Sequence, residues 1–127
     1  MPDEITLTIP REQDFHRVAY LVLGGLAVRM NLTVENFEDL QIALDSILDR
    51  VGQPEGHITV RMSLRDGALE TRVGPVARTV LDEIERERGE RLSLRRVLES
   101  TVDDVHVDGE WVTLTKQVAF GGDGAGG

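Results

Sequence analysis

The chain has 127 residues, a length that favours one compact domain with a single core. Its formal charge of −9 argues against a nucleic-acid binder, because such proteins usually carry a basic stripe. Cysteine is absent, which excludes disulfides and Cys-based zinc sites. The acidic start does not read as a signal peptide, and no apolar run approaches the roughly 20 residues that span a bilayer. We therefore expect a cytoplasmic protein that binds neither nucleic acid nor membrane.

The first elements are a strand and a helix. Residues 4–9, "EITLTI", alternate apolar and polar side chains, which predicts a strand that ends at Pro10. Residues 11–30 predict an amphipathic helix. Its expected inward positions recur at intervals of three and four: Phe15, Val18, Ala19, Val22, Leu26 and Met30. The Gly24-Gly25 pair inside this helix indicates a kink or a close contact.

The sequence predicts a second helix with Thr33 as its N-cap and Glu35 in its first turn. Gly52 and Pro54 are expected to end it. One stripe of this helix is apolar: Val34, Phe37, Leu40, Leu44, Ile47, Leu48 and Val51. "HITVRMSL" and "ALETRV" then alternate around "RDG", which predicts a β-hairpin.

The last third of the chain predicts helices and a closing hairpin. Residues 76–88 form a helical pattern, and Ser93 is a candidate cap for a further helical segment. "VDDVHV" and "EWVTLTKQV" flank an Asp108-Gly109 turn. We expect residues 1–120 to form one domain and the glycine-rich tail, 121–127, to be disordered. Antiparallel strand pairs with intervening helices predict an α+β, two-layer sandwich, with the helices on one face of a mostly antiparallel sheet.

Four segments together resemble the anti-sigma-factor serine kinases, which have the histidine-kinase-like ATPase fold. "ITLTIPREQDFHRVAYLV" is similar to the family's first strand and helix, and "DLQIALDSILDRV" to its "D-I-x-L-A-V-D-E-x-x-x-N" helix. "ALETRVGPV" is similar to the strand before its "D-x-G-x-G" turn. "VLESTVDDVHVDGEWVTLTKQV" is similar to its last helix and hairpin. The resemblance implies that fold over about residues 4–118.

The resemblance also implies where catalytic residues would lie. The family's helix supplies a Glu that helps activate the attacking group and, four residues later, an Asn that holds magnesium. The matching positions here are Ser46 and Arg50, next to a retained Asp45. Serine is a poor base at neutral pH, and arginine has no acceptor for a cation. We therefore expect no catalytic residue and no metal ligand at these positions.

Two further nucleotide-binding elements differ from the family's pattern. The Asp that reads adenine falls on Arg72, whose guanidinium only donates hydrogen bonds, although Gly74 is retained. The glycine-rich end of the family's lid corresponds to "GERLSLRRV", which keeps a single glycine, Gly89. The sequence thus predicts a degenerate nucleotide pocket with no bound cofactor, lined by Asp45, Ser46, Asp49, Arg50, Arg72 and Gly74.

Several polar residues also have simpler interpretations. Asp45 and Asp49, four residues apart, supply too few ligands for a metal site by themselves. They are better explained as the solvated flank of a helix. Arg50, Arg72 and "RLSLRR" offer an anion site, but local salt bridges are the simpler explanation. His16, His57 and His106 show no metal spacing and are assigned surface or half-buried roles, and Trp111 is assigned to packing. Ile42 lies outside the apolar stripe and indicates a second packed surface, against another element or a partner.

Three functions are therefore compared. The favoured one is a degenerate anti-sigma-type regulator that binds a sigma factor or a phosphorylatable antagonist, without phosphotransfer and as a homodimer or mixed complex. The alternative is an active serine kinase that uses Mg-ATP through atypical residues. A third is a pseudo-enzyme that pairs with an intact homologue.

Overall fold

A computed structural model describes residues 3–49, 56–85 and 94–117. The elements follow in this order: β1 (Asp3–Pro10), a 3-10 turn (Gln13–Phe15), α1 (His16–Met30), α2 (Val34–Leu48), β2 (His57–Arg65), β3 (Ala68–Gly74), α3 (Arg78–Glu85), α4 (Leu94–Thr101), β4 (Asp104–Asp108) and β5 (Trp111–Gln117). This order confirms the predicted one. The predictions made for Arg50, Val51, Gly52, Pro54, Ser93, Gly89 and the tail lie outside the described residues.

The five strands form one antiparallel sheet in the order β1-β2-β3-β5-β4. Alternate residues of each strand point to one face, which we call the inner face because its side chains are buried under the helices. On β2 and β3 these are Ile58, Val60, Met62, Leu69, Thr71 and Val73, as the alternation predicted. The other side of the sheet is called the outer face. The β2–β3 turn has positive φ at Asp66 and Gly67, the conformation that a two-residue hairpin needs.

Helix α1 is rotated relative to the prediction. Its buried residues are His16, Ala19, Leu23, Leu26 and Met30. Phe15 and Val18, expected inside, are exposed, whereas His16, expected at or near the surface, is 7% exposed. Nearly every residue from 18 to 28 is apolar or glycine, so several stripes fit a helical period and the sequence could not choose among them. The Gly24-Gly25 pair does not interrupt the helix.

Helix α2 follows its prediction more closely. The Thr33 side chain accepts a hydrogen bond from the backbone N–H of Asn36 at 3.0 Å, which confirms the cap. Leu40, Leu44, Ile47 and Leu48 are buried as expected. Val34 was expected inside and is 71% exposed, because at the first turn the helix extends beyond the core. Among the described residues, no helix is long and apolar enough to cross a membrane.

The single lysine of the chain connects the sheet to two helices. Lys116 lies on the inner-face side of β5, and only 14% of its side chain is exposed. Its Nζ donates to Asp39 Oδ2 on α2 at 3.1 Å and to the carbonyl oxygen of Thr101 at 2.9 Å. Thr101 is the last residue of α4, where a helix leaves carbonyls unsatisfied and favours a cation. This contact fixes the positions of α2 and α4 against β5.

Replacing Lys116 with methionine is expected to lower the free energy of unfolding by about 1–3 kcal/mol, because it leaves Asp39 and a helix-end carbonyl without their donor. Urea unfolding measures the change. The matched control is Arg78→Gln, which breaks ion pairs with Asp82 and Glu85. The three side chains are 66%, 56% and 50% exposed. That control should change stability by less than about 0.5 kcal/mol. Equal losses in the two variants would contradict the role given to Lys116.

Candidate functional site

The polar residues of α2 point to different neighbours. The apolar side of the helix packs on the sheet, and this fixes where Asp45, Ser46 and Asp49 project. Asp45 is half-buried and accepts a hydrogen bond from the Tyr20 hydroxyl on α1. Asp49 is the exposed C-cap residue, and its backbone N–H donates to the Asp45 carbonyl at 2.9 Å. The carboxylate of Asp45 therefore holds α1 against α2.

Tyr20 is a site residue that the sequence analysis missed. Burial raises the pKa of Tyr20 above its ordinary value, and the hydrogen bond to Asp45 and the charges of Asp45 and Asp49 raise it further. The phenol therefore keeps its proton, and with it the hydrogen bond to Asp45, to a higher pH than an ordinary tyrosine does. The sequence offered one signal, since a tyrosine in a packed helix usually directs its hydroxyl to a polar partner.

Ser46 projects to another side of α2 than Asp45 does. Its hydroxyl is half-buried and donates to the backbone carbonyl of Ile42, one turn back, at 2.8 Å. Seven residues separate Ser46 from Asp39, so the two lie on the same side of the helix. Asp39 reaches Lys116 beside α4, and this side therefore faces α4. Arg50, the partner position expected for Ser46, lies outside the described residues.

Arg72 is on the outer face of the sheet. Its strand neighbours Thr71 and Val73 are buried on the inner face, and strand alternation places Arg72 on the opposite side. There its guanidinium carbon lies 5.3 Å from the centre of the Trp111 ring, within the range of a cation–π contact. The structure therefore does not bring Arg72 together with Asp45 and Ser46, which lie in the helix layer.

The indole of the same tryptophan packs directly against the backbone of Gly74. A Cβ added at Gly74 would lie 2.6 Å and 2.9 Å from the Trp111 indole and 3.0 Å from the Glu110 carbonyl oxygen. The backbone N–H of Val76 donates to that same carbonyl at 2.8 Å. Only glycine lets the indole approach this closely. Trp111 has the packing role predicted for it, and its position explains Gly74 without a nucleotide.

The described residues offer little that would hold magnesium with a nucleotide. Residues 3–49, 56–85 and 94–117 contain no group of three or more His, Cys, Asp or Glu side chains placed to bind a metal ion. His57 and His106 are exposed on different strands. Within these ranges, the buried side-chain polar atom that has no hydrogen-bond partner is Thr71 Oγ1, on the inner face. A lone hydroxyl supplies one polar contact, whereas magnesium requires several oxygen ligands.

Known proteins are similar to this chain in sequence and in fold. It is 29% identical to the serine-protein kinase RsbW of Listeria innocua, over 93% of this chain and 89% of that protein. RsbW of Listeria monocytogenes serotype 4a matches at the same identity and coverage. The solved structure of the RsbU and RsbW domains of Rv1364c from Mycobacterium tuberculosis matches with a TM-score of 0.61 at 16% identity, over 91% of this chain and 32% of that chain. No family model matches. These findings confirm the resemblance to the anti-sigma serine kinases and the histidine-kinase-like ATPase fold.

Tyr20 is the single tyrosine, so phenolate absorbance reports its pKa directly. In the folded protein we expect the absorbance near 295 nm to rise only well above pH 10. In the unfolded chain the tyrosine should titrate at its ordinary pKa of about 10. The folded state then holds its proton more tightly than the unfolded state. The contribution of Tyr20 to the free energy of unfolding is therefore fully present below about pH 10. It is lost as the pH rises through the pKa that Tyr20 has in the folded state.

Asp45→Asn should lower the pKa of Tyr20 only in part, because burial is the largest cause of the shift. The control Asp49→Asn should lower it less, since Asp49 acts through charge alone. A folded protein whose tyrosine titrates as in the unfolded chain would contradict the contact with Asp45.

Gly74→Ala is expected to lower the free energy of unfolding by about 1–3 kcal/mol, because the added methyl group overlaps the indole. In a Trp111→Ala background the same change should cost at least about 1 kcal/mol less. Chemical unfolding of the wild type, both single variants and the double variant measures this coupling. An equal loss in both backgrounds would show that Gly74 is required for another reason.

Proposed function

Because the chain resembles the RsbW serine-protein kinases in sequence and fold, we propose that it is an anti-sigma-type regulator that acts by binding proteins, with binding of ATP weak or lost. The observation that carries this proposal is Ser46, which stands at the family's Glu position and donates its hydroxyl to the carbonyl of its own helix. A hydroxyl turned onto Ile42 has neither the basicity nor the orientation to activate an attacking group.

The neighbouring polar groups support the same proposal. Asp45, the residue that the motif retains, accepts a hydrogen bond from the Tyr20 hydroxyl and holds two helices together. Arg72, at the position that would read adenine, lies on the outer face against Trp111. Three positions of the nucleotide motifs thus have structural contacts: Asp45 to α1, Arg72 to Trp111 and Gly74 under the indole.

By this proposal the partners are those that the resemblance implies, a sigma factor or a phosphorylatable antagonist protein. Regulation would then depend on which protein occupies the binding surface and not on phosphotransfer. An alternative is an active serine kinase that uses Mg-ATP, and the names of the Listeria relatives favour it.

Isothermal calorimetry with ATP and Mg²⁺ separates the two functions. We expect no measurable heat at about 1 mM ATP, a concentration that detects even binding of about −4 kcal/mol. RsbW of Listeria innocua, prepared in parallel, is the positive control. Magnesium-dependent binding in the micromolar range, or transfer of the γ-phosphoryl group to an antagonist protein, would overturn the regulator without ATP and establish the kinase.

A further inference from the structure

Four large apolar side chains are exposed on the side of α1 and α2 that faces away from the sheet. Leu21 is 74% and Val28 82% exposed on α1, and Val34 is 71% and Ile42 48% exposed on α2. Tyr20 contacts Asp45, and a Cβ at Gly24 would lie 4.0 Å from Phe37 Cε1, so the two helices are adjacent. We call the surface formed by Leu21, Val28, Val34 and Ile42 the hairpin face.

The centre of the hairpin face has the spacing of a helix-packing hole. Leu21, Gly24, Gly25 and Val28 stand at i, i+3, i+4 and i+7, the four positions that surround an inserted side chain in knobs-into-holes packing. A Cβ added at Gly25 would have no other atom within 4 Å. A Cβ added at Gly24 would have Phe37 Cε1 as its nearest neighbour, at 4.0 Å. Because neither glycine has a Cβ, an apolar side chain of another molecule can approach the α1 backbone closely here.

The glycine pair is unfavourable for α1 itself. Glycine in a helix interior is less stable than alanine, and α1 carries two in succession. Space at Gly25 would accommodate a side chain, so packing within this chain does not require glycine there. A helix from another molecule, lying across α1, would use the space.

The charges around the hairpin face select the partner. Glu35, Glu38 and Asp49 are exposed on α2 and project to the same side as Ile42. Arg17 and Arg29 are the exposed cations on α1, and the whole chain carries −9. Basic residues beside the apolar stripe of a partner helix would meet the α2 carboxylates, whereas two copies of this chain, each with a formal charge of −9, repel each other.

We propose that the hairpin face binds an amphipathic helix of a partner protein, with an apolar side chain in the hole at Gly24 and Gly25 and basic residues beside Glu35 and Glu38. This inference rests on the proposed function and deepens it, because it assigns the surface and the class of segment that the regulator recognises. Helices dock in apolar grooves through anchors spaced at i, i+3, i+4 and i+7, the spacing that this hole presents.

The test uses two fluorescein-labelled model helices of about 18 residues. Both have the same leucine residues on one face; the other positions are lysine in the first peptide and glutamate in the second. Fluorescence anisotropy with the full chain measures each affinity. We expect the lysine peptide to bind at least about tenfold more tightly than the glutamate peptide, and this preference to shrink at high salt. Glu38→Gln should weaken the preference, whereas Asp108→Asn on β4 should not.

Substitutions at the hole give the sharpest result. Gly25→Gln should raise the melting temperature, because glutamine is the better helix former and its Cβ meets open space, and yet lower peptide affinity at least about fivefold. Leu21→Ser should lower affinity similarly without unfolding the chain, since the side chain is mostly exposed. Ile5→Gln, at a 37% exposed position on β1, is the control that keeps wild-type affinity.

Other outcomes overturn the inference. Equal affinity for both peptides, or affinity unchanged in Gly25→Gln and Leu21→Ser, would remove the hairpin face as the binding surface. Self-association that Leu21→Ser abolishes, seen by analytical ultracentrifugation, would make a second copy the occupant. Calorimetry with ATP is a separate measurement, so ATP binding would overturn the proposed function while peptide binding still tests this surface.

Discussion

The packing of α2 on the inner face of the sheet is the constraint on which the other features depend. Leu40, Leu44 and Ile47 are almost fully buried, and they leave the helix a single rotation about its axis. That rotation sends Asp45 toward α1, turns Ser46 to the side of α4 and leaves Ile42 outside. Lys116 secures the same arrangement from the sheet, by an ion pair with α2 and a hydrogen bond to the end of α4. A shift of the whole apolar stripe by one position would rotate the helix by about 100° and redirect all of these polar groups together.

The residues at the nucleotide-binding motif positions, whether retained or replaced, have other structural roles in this chain. Gly74 makes room for an indole, and Arg72 lies over the same ring on the outer face. Asp45 accepts a hydrogen bond from the half-buried Tyr20, and burial together with that hydrogen bond raises the pKa of the tyrosine. Retention of a motif residue is therefore weak evidence for the motif's chemistry when a neighbouring side chain explains the residue as well.

The parts that could be predicted are those in which short-range pattern and burial agree. Strand alternation gave the buried residues of β2 and β3, and Thr33 caps α2 as expected. Prediction failed in α1, where an almost uniformly apolar helix allows several stripes, and His16 and Leu23 proved buried while Val18 did not. Tyr20 was missed because its partner is 25 residues away, on another helix. Ile42 was singled out by its place outside the stripe; its side chain is 48% exposed, so the second packed surface expected there stays a prediction.

The amino-acid sequence by itself determined the order of the elements, the antiparallel hairpins, the helix cap and the resemblance to the anti-sigma serine kinases. These depend on local periodicity, turn chemistry and residue identity at fixed spacing. Only the tertiary structure decided which side chains meet: Tyr20 with Asp45, Lys116 with Asp39, and Trp111 with both Arg72 and Gly74. It also decided that Arg72 and Ser46 lie in different layers and that the apolar side chains of the hairpin face share one side. Such pairings depend on how helices rotate and strands register against one another, and burial across the whole core, not any short segment, sets both.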